Sequence, residues 1–437
     1  MAQVSNAEVV NIFKKVYGNI NDLQPEDYQL QRDIPFEQKQ RVGESYTEAV
    51  VLTAESGMTW AGSGAEAFEL NPAIAGSVKQ ALVQPYITVL ASVLPWGMVS
   101  RSATSEGAFV QATKHLVKNN VKSHGKYLEI CRWHGQRTKK LGYVFYGTET
   151  FRGVAFTNGT GTVGGVAFTN GVSASAKAIL MGRDYASGIW VGSEGVVVNQ
   201  IDGTGAVVAS GKLVGTDSEN CILYVDFTPV AASSATSHRL CFDGWQNNQE
   251  ALGVFGIMQN TSSLFGISTS AYSLWKGNSV VVPSAKFTFD RLQTGVAAAV
   301  NRGGLEGDLY VYVNPRTWAT LISTEAGKRQ YDDSYTPNEA KNGFEAIVFH
   351  HQAGKAVIQS CRMMMESEVG ALHIPDWSRS GSAEIGFTVP GGSQGEIIFP
   401  LENQAGYAFR SYADQYMFNH APARSLVFSG INDEAAS

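Results

Sequence analysis

The sequence predicts an α+β chain with an all-β segment inserted near its middle. Three observations lead there. One stretch, residues 106–135, has strong helical periodicity. From about 141 to 244 the texture changes to short apolar alternations ("AILMG", "GIWVGSEGVVVNQ", "NCILYVDF") separated by Gly, Asn, Asp and Ser. Helix and strand patterns then return from residue 284 onward.

The 437 residues can form two or three domains, or one elaborated domain, and 44% hydrophobic content supplies a substantial core. Charged residues are only 16% of the chain, against ~25% in ordinary soluble proteins. Such a surface suits a subunit lying against its neighbours, because charge is depleted at interface cores; a β-rich composition full of Ser, Thr and Gly gives the same number. A net charge of −6 argues against a globally basic nucleic-acid reader but leaves room for a local basic strip. Cys131, Cys221, Cys241 and Cys361 form no C-x-x-C pair, so free thiols in a reducing compartment are expected. The N-terminal residues lack the apolar stretch of a secretory signal. The longest apolar-leaning run, 86–99, holds Ser92, Pro95 and Gly97 and is too broken to span a bilayer. A soluble product made in a cytoplasm, with no membrane partner, is expected.

Residues 1–40 read as a polar arm with a short helix over 6–16. "RVGESYTEAVVLTAESGMTWAG", 41–62, reads as a hairpin. A two-stranded hairpin is marginal alone in water, so it must rest on something else. In the helix at 106–135, Phe109, Leu116, Val117, Tyr127, Cys131 and His134 fall near one face, and Gly135 supplies the stop. "SAKFTFDRLQTGVAAAVNRGG" predicts a helix capped by Ser284 and ending at Gly303. "DLYVYVNPRTWATLIST" predicts a strand, an Asn-Pro turn and a helix; strands follow at 346–350, 355–360, 383–389 and 395–400, then an aromatic-rich extended tail.

Gly159, Gly161 and Gly164 spell G-x-G-x-x-G, and Asp184 follows at the roughly 20-residue spacing of a dinucleotide fingerprint. The pattern fails structurally, because a helix must begin within those glycines for its N-terminus to meet the pyrophosphate. Here a second copy of GVAFTNG (153–159 and 165–171) follows, with Thr-Asn-Gly turn chemistry in both. His350 and His351, adjacent in a strand pattern, point to opposite faces and cannot chelate one metal. Asp202-Gly203-Thr204-Gly205 reads as a tight turn rather than a calcium loop. No G-x-S-x-G, H-E-x-x-H or Walker pattern occurs. No catalytic constellation, metal or cofactor is expected.

Lys114, Lys118, Lys122 and Lys126 stand in i, i+4 register on the helix. Each like-charge pair costs about 0.2–0.5 kcal/mol. The stripe is either a solvated face or the footprint of an anionic partner: acidic neighbour residues, a scaffold, or packaged nucleic acid.

In their order these features resemble the tailed-phage major capsid proteins of the Hong-Kong-97-type fold. The likeness runs from the arm, through the hairpin with "SGMTWAG", to the helix ending "YLEICRWHGQRTKKLGYV". It resumes at "DLYVYVNPRTWATL" and "NGFEAIVFHHQAGKAVI" and closes with "RSYADQYMFNHAPARSLVFSGI". The resemblance implies an N-terminal arm (1–40), an extended β-hairpin loop (41–70), and a peripheral domain with the spine helix (71–150). An inserted β-rich domain (151–275), an axial α/β domain (276–405) and a C-terminal return strand of the peripheral domain (406–437) complete it. It further implies self-assembly into hexamers and pentamers of an icosahedral head enclosing double-stranded DNA, with assembly in the host cytoplasm. Scaffolding, portal and decoration proteins would be partners; the short N-terminal region leaves no room for a fused scaffold. A shell protein of a cellular compartment and a β-rich carbohydrate-binding or adhesion protein are the alternatives. The insert is expected to fold as a separable unit, and Met58 and Trp60 to be the apolar anchors near the hairpin tip. In some members a loop lysine forms an isopeptide bond with a neighbour; residues 40–78 contain no lysine, so none is expected here.

Overall fold

The computed structural model describes residues 28–40, 43–63, 67–95, 106–233, 237–326, 347–387, 398–400 and 406–435. The helix expected over 6–16 lies outside them. The long helix runs Glu106–His134. Towards its C-terminal end it is enclosed on every side: Leu128, Glu129, Ile130, Cys131, Arg132 and Trp133, successive residues, are all buried. A helix buried all round must have other elements packed about it, and the remaining architecture supplies them.

Along one side lies a five-stranded sheet. Its order is Phe36–Gln38, Trp377–Gly386, Gly406–Asn419, Ile398–Pro400, with Ile87–Pro95 paired to the other edge of the long strand Gly406–Asn419. A six-stranded mixed sheet follows the order Asn278–Ala285, Leu426–Ile431, Glu368–Leu372, Leu309–Val313, Gly354–Ser360, Ile347–His351. Its own core (Leu292, Val296, Val311, Ile358, Phe428) is covered by helix Phe289–Gly303. The expected strand–turn–helix is present as Leu309–Val313 and Pro315–Ala326. The tail does not return wholly to the first sheet: Gly406–Asn419 joins it, whereas Leu426–Ile431 enters the second.

Thr288, not Ser284, caps helix Phe289–Gly303, its Oγ1 accepting the N–H of Arg291 at 3.4 Å. Ser284 is held in the edge strand, past a register shift that puts it at φ 46° and keeps Ala285 paired with Ile431. The hairpin pairs Tyr46–Val51 with Val78–Val83, so its return strand lies beyond residue 70.

In chain order between the long helix and the second sheet, an eight-stranded antiparallel sheet spans strands Thr160–Val163 to Arg239–Phe242. The glycine fingerprint is a hairpin there. Thr160–Val163 pairs with Val166–Thr169 around Gly164 and Gly165, and no helix follows. The two GVAFTNG copies fold alike. Asn158 and Asn170 take φ 49° and 48°, Gly159 and Gly171 follow at 75° and 79°, and Phe156 and Phe168 are both buried.

This β-rich part is not separable in its packing. One continuous core joins its Phe168, Leu180, Trp190, Phe242 and Phe255 to Ile130 and Trp133 of the helix, and to Met363, Met364 and Phe418. Trp133 sits between Phe255 and Tyr312, with ring centroids 6.3 and 5.1 Å away. The same junction holds the buried Arg137–Glu368 pair, with Nη1 to Oε2 at 2.8 Å. Lys139 bonds Asp184 and lies 3.4 Å from Glu368. Burial pushes the Glu368 carboxyl up, but Arg137 and Lys139 outweigh it and hold it down to about 2. His134 is fixed as the neutral Nε2–H tautomer, donating to the Met363 carbonyl at 2.7 Å and accepting from Arg137 at Nδ1. The change of sequence texture therefore marks a change of strand content, not a boundary between cores. Deleting 151–275 strips cover from Trp133, His134 and Met363. The shortened chain is expected to be insoluble or to lack dispersed amide resonances; a soluble, well-dispersed product would refute the shared core.

Candidate self-association surface

The base of the long hairpin is anchored. Tyr46, Val50, Leu52, Ala81 and Val83 belong to the main core. The Tyr46 ring lies 4.7 Å from that of Tyr416, its hydroxyl donates to Asp414 at 3.2 Å, and Tyr416 donates to Glu48 at 3.0 Å. Beyond the base, the described residues 52–63 and 67–77 bond across to one another. Ser56 bridges Ile74, Leu52 N–H donates to Ser77 at 2.8 Å, and Asn71 donates through Nδ2 to the Met58 carbonyl at 2.9 Å. Gly57 is required at φ 117°, where a Cβ would stand 2.6 Å from the Pro72 carbonyl oxygen.

This ordered excursion turns its apolar side chains outward. Trp60 is 83% exposed and Met58 69%, and Phe68, Leu70 and Ile74 are exposed with them. Exposed apolar sets of this kind mark association surfaces.

A second apolar strip lies on strand Ile87–Pro95. Ile87, Val89, Ala91 and Val93 face out, whereas Thr88, Leu90 and Ser92 turn towards the helix. There the contacts are polar: Thr88 Oγ1 to His124 Nε2 at 2.9 Å, Ser411 Oγ to His124 Nδ1 at 2.8 Å, and Asn120 Nδ2 donating to Ser92 at 2.7 Å. Leu90 apart, the usual pattern, apolar towards the helix and polar towards water, is reversed. The outer edge of this strand also has no backbone partner among the described residues, which makes it a template for pairing with another chain. Burial, helped by the Arg132 charge, lowers the His124 pKa to about 4. In the sequence this strip was hidden inside an apolar run; the polar Thr88 and Ser92 at alternate places were its only signal.

The lysine stripe is interrupted. Lys118 and Lys122 are exposed, and the side chain of Lys114 lies outside the described residues. Lys126 is half-buried, donating to the Val191 carbonyl at 2.8 Å and to Ser193 Oγ at 2.7 Å. Burial lowers its pKa to about 8. It is a tie between helix and insert, because the segment after Ser187–Trp190 covers that turn of the helix.

Among the described residues, no group of three or more His, Cys, Asp or Glu is placed to hold a metal. Asp202 Oδ1 accepts the N–H groups of Thr204 and Ala206 at 2.8 and 3.0 Å, a self-contained turn. All four cysteines are free and buried. Among the described residues no helix is long and apolar enough to cross a membrane.

No family model matches the sequence, and no curated protein matches it. Solved structures do. The chain is similar to one from the capsid asymmetric unit of cyanophage A-1(L), at TM-score 0.44 and 8% identity, over 95% of this chain and 93% of that one. Its structural neighbours include phage capsid proteins. A native GTA particle capsid matches at TM-score 0.41 and 8% identity, over 93% and 90% of the two chains. A chain of Mycobacterium phage Bobi matches at 0.40 and 11%, over 98% and 100%. At such identities no residue role passes from these structures to this chain, and TM-scores below 0.5 leave the functional reading to its own surfaces.

Buried neutral histidines make the fold sensitive to acid. His124 and His134 titrate near 4 and 3, below the ordinary 6.5, so the unfolded chain binds their protons first as the pH falls. Their contribution is complete above about 6.5 and declines as the pH drops towards 4 and then 3. Urea midpoints are expected to fall between pH 7 and pH 5, and His124→Gln to flatten that slope; a pH-independent midpoint over this range would contradict it.

Proposed function

We propose that the chain is a major capsid subunit, a structural protein rather than an enzyme. It assembles with copies of itself into hexamers and pentamers of an icosahedral phage head enclosing double-stranded DNA. The observation that carries this reading is an ordered hairpin excursion whose Met58, Trp60, Phe68, Leu70 and Ile74 are all left exposed. Such a surface is complete only when a neighbour covers it. A contact between a protruding element and a different patch on the next copy is heterologous, and such contacts close into rings when the rotation permits. The bonding of residues 52–63 with 67–77 lowers the ordering cost of that contact.

Lys118 and Lys122, with Lys114, form the part of the stripe that meets an anionic partner, packaged DNA above all, through charge alone. Scaffolding, portal and decoration proteins are the further partners of this reading, the virion its location, and the host cytoplasm its place of assembly.

Trp60→Ala is expected to leave the subunit folded, because the side chain is 83% exposed, and to weaken particles against heat. Burying such a side chain contributes roughly 1.5–3 kcal/mol per contact. Electron microscopy and light-scattering melts of wild-type and variant particles measure this; a wild-type chain that stays monomeric would overturn the reading. The lysines nearest the excursion are both engaged, Lys39 with Glu48, and Lys79 with its ammonium 5.2 Å from the Tyr272 ring centre. Particles boiled in detergent and reductant are therefore expected to run as a single monomer band; a ladder would show covalent cross-links.

A further inference from the structure

The base of the long hairpin meets a much smaller one. Ser263–Leu264 pairs with Ile267–Ser268 through a two-residue turn of Phe265 and Gly266, at φ 51° and 80°. Glycine is at home in that conformation. A bulky aromatic is not, because Asn, Asp or Gly normally fills the first place of such turns and a Cβ there is sterically opposed. An outlier of this kind persists only where its surroundings over-determine it.

Two contacts do so. The Phe265 carbonyl accepts the N–H of Leu82 at 3.0 Å, and the Phe265 ring packs against Phe418 with centroids 5.2 Å apart. The small hairpin is itself fastened to the main core: Leu264 and Ile267 are buried, and Trp275 Nε1 donates to the Leu264 carbonyl at 3.1 Å. Tyr272 faces the same strand, its ring centre 5.2 Å from Lys79 Nζ and its hydroxyl 3.5 Å from Ser77 Oγ. The contacts to Leu82, Lys79 and Ser77 fall on Val78–Val83 or the residue before it. Of that strand only Ala81 and Val83 are buried, so core packing alone fixes its direction weakly.

We propose that Phe265 and Tyr272 form a bracket that sets the angle at which the long hairpin leaves the body. They are positioning residues for the self-association surface, acting through Leu82, Lys79 and Ser77. The proposal rests on the capsid reading only for what the hairpin meets; the bracket is within one chain and is tested before assembly.

Hydrogen exchange on the full unassembled chain reads it directly. In Phe265→Gly, which keeps the accepting carbonyl but removes the ring that holds it in place, amides of 78–83 are expected to exchange about tenfold faster, the size of effect of loosening one hydrogen bond together with its packing. Amides of Leu309–Val313 should keep their rates, and Phe265→Tyr should behave as wild type. Tyr272→Ala should accelerate the same hairpin amides, and it decides the matter if Phe265→Gly does not fold. Unchanged hairpin exchange, or equal acceleration in the second sheet, would overturn the bracket. Faster hairpin exchange with undiminished particle yield would uphold the bracket and instead refute the hairpin as the contact between subunits.

Discussion

The buried pair of Arg137 with Glu368 holds the three parts of this chain in one arrangement. Arg137 stands just past the end of the long helix, Glu368 opens a strand of the second sheet, and Lys139 extends the cluster to Asp184 in the β-rich part. Both members of the pair are out of water, so their desolvation offsets much of their attraction. What such a pair supplies is registry. An apolar substitute could slide, whereas a bidentate guanidinium–carboxylate contact has one geometry. The Phe255 ring completes the arrangement, lying under the Arg137 guanidinium at 4.6 Å and stacked on His134.

Away from that junction the packing follows a different economy. Between the helix and strand Ile87–Pro95 the polar contacts are hydrogen bonds, and Ile87, Val89, Ala91 and Val93 face the other way. A monomer optimised for itself would reverse this. The strand and the hairpin's Met58, Trp60, Phe68 and Leu70 together place on the outside what a free-standing domain would place within.

Local patterns were legible in the sequence, and long-range pairings were not. The helix at 106–135, the strand–Asn-Pro–helix unit and both Thr-Asn-Gly turns depend on residues near one another, and each is present. The return strand of the hairpin was missed because Tyr46–Val51 pairs across residues 52–77, and no local pattern specifies a partner at that distance. Ser284 looked like a cap because capping chemistry is local, but the strand pairing of Ala285 with Ile431 overrode it. Lys126 was one of four identical residues in a row, and only the fold reveals that Val191 and Ser193 lie above it. The candidate surface was half legible: Met58 and Trp60 stand out as apolar residues among polar ones, whereas the edge strip needed knowledge of which face met the helix.

The placement of strands Gly406–Asn419 and Leu426–Ile431 carries a consequence for biosynthesis. The first is flanked on both sides in its sheet, and the second lies between Asn278–Ala285 and Glu368–Leu372 in the other. The first sheet cannot close until the ribosome has passed Asn419, nor the second until it has passed Ile431. Nascent chains therefore carry the apolar hairpin residues while the Tyr416 and Asp414 that anchor the hairpin base are still to be made, and such open intermediates are prone to aggregate. Closure of both sheets is thus gated by translation of the last strands, whatever the stability of the parts made before them.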